Sequence, residues 1–430
     1  MVLLALTVIG WDLASEPHFV DESAYVSQAF FADLWLNGQR DDPAWLTYAG
    51  YDLPPLPKYL IGFSMRAGGF RRPNSTAMWE WYANTSRRFV SAEALTVARI
   101  PSVILGALGC LAIYGLGATA HGRPSGLIAA LLLMANPLYR MHARRAMSDV
   151  PAEALILASL AIGLWAWKRL LSGRGTLGPG LGLISGSGVL CGLATLAKLN
   201  GSLSGIILAT WAVMACGLRS FSGRGRLVFV LSTLLAGGVA FATFCSLNPF
   251  LYAHPQGVID PKLEPIARMT FSDRVRMIYD HRAGVSTEAK SIFPRDALRT
   301  PLEKIEAVAV QGFGRFGPFG PRAGTDSTVR RSRAQDWGAC VWLPWVALGM
   351  VAASVRGLAQ VRGGEPPVAW AVLVQAGVAL IVVTAFIPLA WDRYYLSIQP
   401  GSALLGAFAV VEGMDWVVRL AVKDRSEPSP

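Results

Sequence analysis

Carboxylates stand in four short stretches of this 430-residue chain, three of them with a lysine or arginine close by. Each pairing is one that group-transfer chemistry can use. Asp21-Glu22 opens "DESAYVSQ"; one acid can act as a general base while its neighbour orients it or binds an acceptor. The same pair would also suit the first turn of a helix, where an acid meets the positive end of the dipole. In "RRAMSDVP", Arg144 and Arg145 precede Asp149. Guanidinium forks fit phosphate oxygens, whereas Asp149 reads either as a helix cap ahead of Pro151 or as an acid of the site. Lys58 follows the stiff "DLPPLP" and suits either a snorkelling lysine after a rigid turn or a phosphate contact. Asp392-Arg393 in "WDRYYLSIQP" reads as a local ion pair or as a phosphate-binding arginine.

Elements must bring these stretches together, and composition says which kind. The chain is 53% hydrophobic and 16% charged, with mean hydropathy +0.41, far more apolar than a soluble domain. Windows such as 227–247 and 368–389 run almost without charge for the length a helix needs to cross a bilayer. A polytopic membrane protein follows, and it is all-α because lipid cannot satisfy a sheet edge. Ten spans are predicted, at 1–14, 94–118, 124–140, 150–167, 180–197, 201–218, 227–247, 337–355, 367–389 and 395–418. The first, Met1–Ala14, lacks a basic n-region and a cleavage site, so it reads as a late start of a first transmembrane helix instead of a signal peptide.

Two polar segments, 15–93 and 248–336, are too long for turns. In the first, Val26, Ala29, Phe30 and Leu34 recur at helical spacing before Asn37-Gly38, which predicts an amphipathic helix lying on the membrane surface. The second contains "QGFGRFGPFGPRAG" and reads as a mobile loop. The whole of 1–430 is one integral-membrane domain with these two external loops, the first carrying the catalytic acids.

Orientation follows from the basic residues. With the amino end inside, cytoplasmic segments hold twelve lysines and arginines against five in the short opposite loops (Arg140, Arg144, Arg145, Lys198 and Arg393), in accord with the positive-inside bias. Asp21, Glu22, Lys58, Asp149, Lys198, Asp392 and Arg393 then share the outer face. Arg144 and Arg145 lie there against the bias, which calls for an anion such as phosphate.

The net charge of +11 comes from short clusters between spans, so it speaks for membrane lipids and not nucleic acid. Five cysteines show no paired spacing, and His18, His142, His254 and His281 show no ligand spacing. No cofactor is implied with certainty; a divalent metal stays open. No glycine fingerprint for a nucleotide stands after a strand.

The ordered motifs then resemble a family. Asp21-Glu22 after the first span, "PPLPK", "ARIPSVILG", "RRAMSDVP", "LATLAKLNG" and "DRYYLSIQP" together resemble the GT-C-fold membrane glycosyltransferases. The nearest are the protein O-mannosyltransferases of glycosyltransferase family 39 and the lipid A aminoarabinose transferases. The resemblance covers about 15–250 and 390–410. It implies an inverting transfer of a hexosyl or pentosyl group from a polyprenyl-phosphate donor to a lipid, glycan or protein hydroxyl on the non-cytoplasmic face. Asp21 matches the catalytic acid, Glu22 its partner and Asp149 the second acid; Lys58, one of Arg144 and Arg145, and Arg393 fall to the donor phosphate. Leu53 stands where the family often has histidine. No β-trefoil segment of the eukaryotic mannosyltransferases is present, which points to a bacterial plasma membrane. The rival readings are a lipid or sugar transporter or flippase, which would carry ionisable residues at mid-span, and a polysaccharide polymerase or ligase using a diphosphate-linked donor.

Overall fold

A computed structural model describes residues 1–72, 91–171, 177–218, 223–257, 260–320 and 337–426. Parts of both polar segments (73–90, 258–259 and 321–336), and Arg174 and Arg219 of the basic residues expected in the cytoplasm, lie outside these residues.

Every expected span corresponds to a helix. In chain order the larger elements are α1 (Val2–Gly10), α2 (Val20–Ser27), α3 (Phe31–Leu36), α4 (Leu56–Ala67), α5 (Ala92–Ala120), α6 (Arg123–Ala135), α7 (Pro137–Ala143) and α8 (Asp149–Leu171). They continue with α9 (Leu177–Ala197), α10 (Leu203–Gly217), α11 (Gly223–Ser246), α12 (Phe271–Ile292), α13 (Pro301–Ala307), α14 (Gly338–Arg362), α15 (Val368–Phe386) and α16 (Gln399–Ser426). Eight helices among the described residues, α5, α8–α11 and α14–α16, are long and apolar enough to cross a membrane; α1 and α6 are shorter apolar helices at the other two expected spans. Among the described residues there is no strand, only an isolated bridge between Ala297 and Leu389. Among the described residues the fold is an all-α polytopic bundle.

Small residues set how closely the spans pack, as they must where lipid supplies no hydrophobic drive. Gly188 and Gly192, four apart on α9, face the carbonyls of Ala236 and Ala240 on α11; an added Cβ at either would lie 2.5 Å from the oxygen. On α5, Gly109 admits the Tyr139 hydroxyl from α7, which donates to the Gly106 carbonyl at 2.9 Å. That contact seats the α7–α8 corner, and with it the arginines, against α5.

The two polar segments depart from expectation. The predicted amphipathic helix is broken into α2 and α3 around Gln28. Ser23, Ser27 and Gln28 are buried along with Val26, Ala29 and Phe31, so this stretch is enclosed by protein and does not lie on a surface. Asn37 and Gly38 do end it, Gly38 at φ 70°, a conformation suited to glycine. In the second segment, α12 runs for 22 residues behind a Thr270–Asp273 capping box. Val308–Arg315 forms a π-helix, where a mobile loop was expected. The reason is packing: Gln311, Gly312, Phe313 and Gly314 are buried, with Tyr395 and Ile398 closed over Gly312.

Candidate active site

Four elements converge at one end of the bundle: the start of α2, the α7–α8 corner, the α9–α10 junction and the 3-10 turn Asp392–Ile398 ahead of α16. Asp21 lies in the first turn of α2 and pairs with the Arg393 guanidinium, Nη1 to Oδ2, across 372 positions of sequence. Both side chains keep some exposure, 21% and 23%, so the pair is only partly closed off from its surroundings. Arg393 also lies over the rings of Trp391 (4.9 Å) and Tyr394 (5.6 Å), which fixes the plane of its fork.

Asp149 begins α8 and receives Lys198 Nζ at 2.7 Å. It stands within electrostatic reach of His142 and Arg393, so the two acids share one cationic neighbourhood. His142 is fully buried, neither ring nitrogen has a hydrogen-bond partner among the described residues, and Nε2 is 3.6 Å from Asp392 Oδ1. Asp392 itself accepts from the Arg393 backbone N–H at 2.6 Å, which turns the Arg393 side chain outward. Tyr25 bonds Ser148 at 2.6 Å and lies in the fields of Asp149, Arg282 and Asp21. Burial, reinforced by Asp149, raises the Tyr25 phenol well above its usual value, so it stays a neutral donor.

Glu22 turns away from this opening. Its carboxylate, fully buried, takes Arg99 Nε at 2.8 Å and Nη2 at 2.7 Å, the Ala146 N–H at 2.8 Å and the Phe19 N–H at 2.9 Å. It locks α2, α5 and the α7–α8 corner together, and its role is positioning. Composition alone could have flagged Arg99: an arginine inside an apolar span needs a partner.

The two arginines separate. Arg144 donates to the carbonyls of Ile9 (3.1 Å), Trp11 and Asp12 (2.7 Å) and to Glu16 at 2.8 Å. Asp12, at φ 51°, bends the chain so that these carbonyls converge, and Arg144 caps the negative end of α1. The expectation of a phosphate contact therefore does not fit Arg144: four of its five N–H groups are engaged in these bonds. Arg145 is 2% exposed, stacks at 4.0 Å over Phe19, and its Nε and Nη1 find no hydrogen-bond partner among the described residues.

Lys58 is corrected as well. It is completely buried, donating to the Ala49 carbonyl and lying 4.8 Å from the Phe31 ring; no direct phosphate contact is available to it in this geometry. Burial lowers its ammonium to about 7 against the pull of Asp52. Asp52 collects His281 Nε2 at 2.9 Å and Arg282 Nη2 at 3.2 Å. Burial pushes the Asp52 carboxyl up, but the His281 bond and the Arg282 charge outweigh it and hold the carboxyl below its usual range. Asp52 and Arg282 carry no signal in the sequence, where α12 reads as loop, and His281 stands there only as a histidine without ligand spacing. Among the described residues no group of three or more His, Cys, Asp or Glu is arranged to hold a metal.

No protein-family model matches the chain, and no curated protein matches it. Solved structures do. The oligosaccharyltransferase of Archaeoglobus fulgidus in the apo form is 15% identical at TM-score 0.56, covering 100% of this chain and 52% of that one. The same archaeal enzyme, AglB, in complex with an inhibitory peptide and a dolichol-phosphate is 14% identical at TM-score 0.54, covering 100% and 52%. ArnT from Cupriavidus metallidurans in the apo state is 14% identical at TM-score 0.49, covering 98% and 61%. The likeness to the archaeal enzyme shows the fold, that of the GT-C membrane glycosyltransferases. The chain spans about half the length of the archaeal enzymes it matches.

Proposed function

We propose that this chain is an inverting membrane glycosyltransferase, moving a hexosyl or pentosyl group from a polyprenyl-phosphate donor to an acceptor hydroxyl on the non-cytoplasmic face. The observation that carries the reading is the half-open Asp21–Arg393 pair beside Asp149–Lys198, built on this fold at one end of the bundle. Segments 15–93 and 248–336 are its external loops, and 1–430 acts as one domain in a plasma membrane of bacterial type. That AglB was solved with a dolichol-phosphate supports a lipid-linked donor here.

Asp21 accepts the acceptor's proton as the new C–O bond forms at the anomeric carbon and the bond from that carbon to the phosphate oxygen breaks. The departing phosphate carries away the bonding electron pair and gains charge. A cation fixed before the reaction stabilises that charge without reorganisation. Arg393 is placed for this: with no substrate its fork rests on Asp21, and an arriving phosphate draws the fork off, leaving Asp21 a stronger base. Lys198 gives a second, partly exposed ammonium, which Asp149 positions. Glu22 holds α2 at the angle that presents Asp21.

A transporter would need its ionisable groups along a path through the spans. The paired acids and cations described here instead gather at helix ends, which favours the enzyme. The test is transfer by the purified chain across a panel of polyprenyl-phosphate sugars with peptide, glycan and lipid acceptors. Transfer with inversion that is absent in Asp21→Asn is expected. Transfer only from diphosphate-linked donors would replace this reading by the ligase one, and full turnover in Asp21→Asn would end it.

A further inference from the structure

Two helix faces meet beside the last turns of α15, the helix that ends just ahead of the turn carrying Arg393. Pro301, Lys304 and Ile305 share one face of α13, and Leu380, Ile381, Thr384 and Ala385 share one face of α15. Spacings of three and four put such side chains in a row. Between the rows runs an open groove of about 350 Å³, and no acidic residue lines it. Ile381 and Phe386 are 68% and 75% exposed on a helix of crossing length, so this face of α15 meets lipid. Leu302 at 74% and Ile305 at 54% carry the apolar surface onto α13, which is too short to cross and lies at the membrane edge.

The groove is also cationic. Lys304 donates to the Ala385 carbonyl, which caps the end of α15. An ammonium has three N–H groups, and the other two find no acceptor among the described residues. Lys290, in the last turn of α12, lies within electrostatic reach. Burial first, and then the Lys290 charge, lowers the Lys304 ammonium from its usual value. Nearby acids do not relieve this repulsion. Glu303 accepts the N–H groups of Arg299 at 2.7 Å and Thr300 at 3.2 Å as part of the α13 cap, and Asp296 takes Trp391 Nε1 at 3.1 Å. Two ammonium groups that repel each other beside an acid-free apolar groove are complementary to an amphiphile with an anionic head.

We propose that this groove binds one anionic phospholipid, an acyl chain lying between α13 and α15 and its headgroup held by Lys304 and Lys290. None of Asp21, Asp149, Lys198 and Arg393 lines the groove, and no acid in it could take an acceptor's proton. A headgroup held there is therefore not the phosphate that leaves in sugar transfer. The lipid has a place in the fold: α13 runs directly into the π-helix whose Gly312 is covered by Tyr395 of the Arg393 turn, so it secures that wall from outside. The site is argued from α12, α13 and α15, and it stands or falls independently of the proposed reaction.

Binding is read on the full chain in nanodiscs of phosphatidylcholine with rising fractions of phosphatidylglycerol, by thermal unfolding. Native mass spectrometry of chain released from the discs counts the lipids retained. A saturable rise in the unfolding midpoint is expected, with one phosphatidylglycerol kept in preference to phosphatidylcholine. Removing both charges, Lys290→Gln with Lys304→Gln, should raise the half-saturating fraction by about tenfold or more, as two lysines near a lipid surface imply. Ile381→Trp, at an exposed position, fills the groove without touching charge and should also expel the lipid. Arg276→Gln, exposed on α12, removes a charge away from the groove and should change nothing. Should the double variant fail to fold, Lys290→Gln alone and Ile381→Trp give the same reading. Equal retention of the two lipids, or equal loss in Arg276→Gln and the lysine variants, overturns the proposal. So does stoichiometric displacement of phosphatidylglycerol by a polyprenyl phosphate, which would hand the groove to the donor.

Discussion

At the scale of single residues, the site is a set of ion pairs whose members differ in how completely they are used. Asp21 and Arg393 are partly open, so changes there should act on chemistry. Asp21→Asn keeps the shape and the helix-start preference but cannot take a proton. Transfer should fall by two to three orders of magnitude or more while the melting temperature moves little. Glu22 and Arg99 are closed, so changes there should act on folding. Glu22→Gln strands a buried guanidinium and should cost about 3–5 kcal/mol, measured by thermal or denaturant unfolding in detergent; an unchanged midpoint would contradict the positioning role. Lys58 carries a pH signature. Its folded value of about 7 lies below the unfolded value of about 10.4. Between these values the unfolded chain holds a proton that the folded chain does not, so stability rises with pH across that window. Wild type should therefore gain stability between pH 7 and pH 10 by an amount that Lys58→Met does not show, with unfolding midpoints at half-unit intervals as the measure. Much of this residue-level picture was legible. Asp21, Asp149 and Arg393 could be named from type and neighbours. What sequence adjacency could not say was where a side chain ends: Arg144 and Arg145 are neighbours in the chain, yet one is spent on three carbonyls and Glu16 while the other has donors left over.

Elements decide whether those residues meet. The 3-10 turn 392–398 carries Asp392 and Arg393, and it is held from three sides by buried polar contacts. Ser397 donates to Glu153 of α8 at 2.8 Å, Tyr395 to Gln311 of the π-helix at 2.8 Å, and Gln399 to the Gly312 carbonyl at 2.8 Å. Upstream, Ala390 N–H bonds the Asp296 carbonyl at 2.8 Å and Leu298 N–H bonds Pro388 at 3.0 Å. The second polar segment is therefore a brace for Arg393. Its glycines and aromatics suggested a loop because a π-helix has no simple sequence period. The deciding contacts come from residues some 80 positions away. Gly312 tests the brace. A Cβ there would lie 2.8 Å from Ile398 Cδ1 and 3.1 Å from Tyr395 Cδ1, so Gly312→Ala must push the Ile398 methyl aside and crowd the Tyr395 ring that the turn carries. A loss of about 1–3 kcal/mol is expected from overpacking, together with a drop in transfer. Gly284→Ala on α12, where a Cβ meets open space, should change neither. Equal behaviour of the two variants, by unfolding and by turnover, would remove the brace from the account.

For the whole molecule, the spans were the most legible feature, because twenty apolar residues have few other uses in a folded chain. All ten predicted positions carry helices, eight of them of crossing length. The orientation rests on a different physical term, the bias of basic residues toward the cytoplasm, and three of the five opposing side chains now have local explanations. Arg144 caps α1, Lys198 meets Asp149 and Arg393 meets Asp21, so none of them speaks against the bias. At the other end, His121, Glu412 and Arg356 tie α5, α14 and α16 together, with His121 Nε2 2.8 Å and Arg356 Nη1 3.5 Å from Glu412 Oε1. The α14–α15 turn containing Glu365 follows directly from that cluster. If the count is right, this end faces the cytoplasm and α12, carrying Glu288, faces outward. Glu288→Cys and Glu365→Cys, both at exposed positions, can be placed singly in a chain whose five native cysteines are replaced. An impermeant thiol reagent applied to intact cells should label Cys at 288 at once and Cys at 365 only after permeabilisation. Labelling of both from outside would break the ten-span topology. The reverse pattern would turn the Asp21–Arg393 pair toward the cytoplasm, and with it any donor it serves.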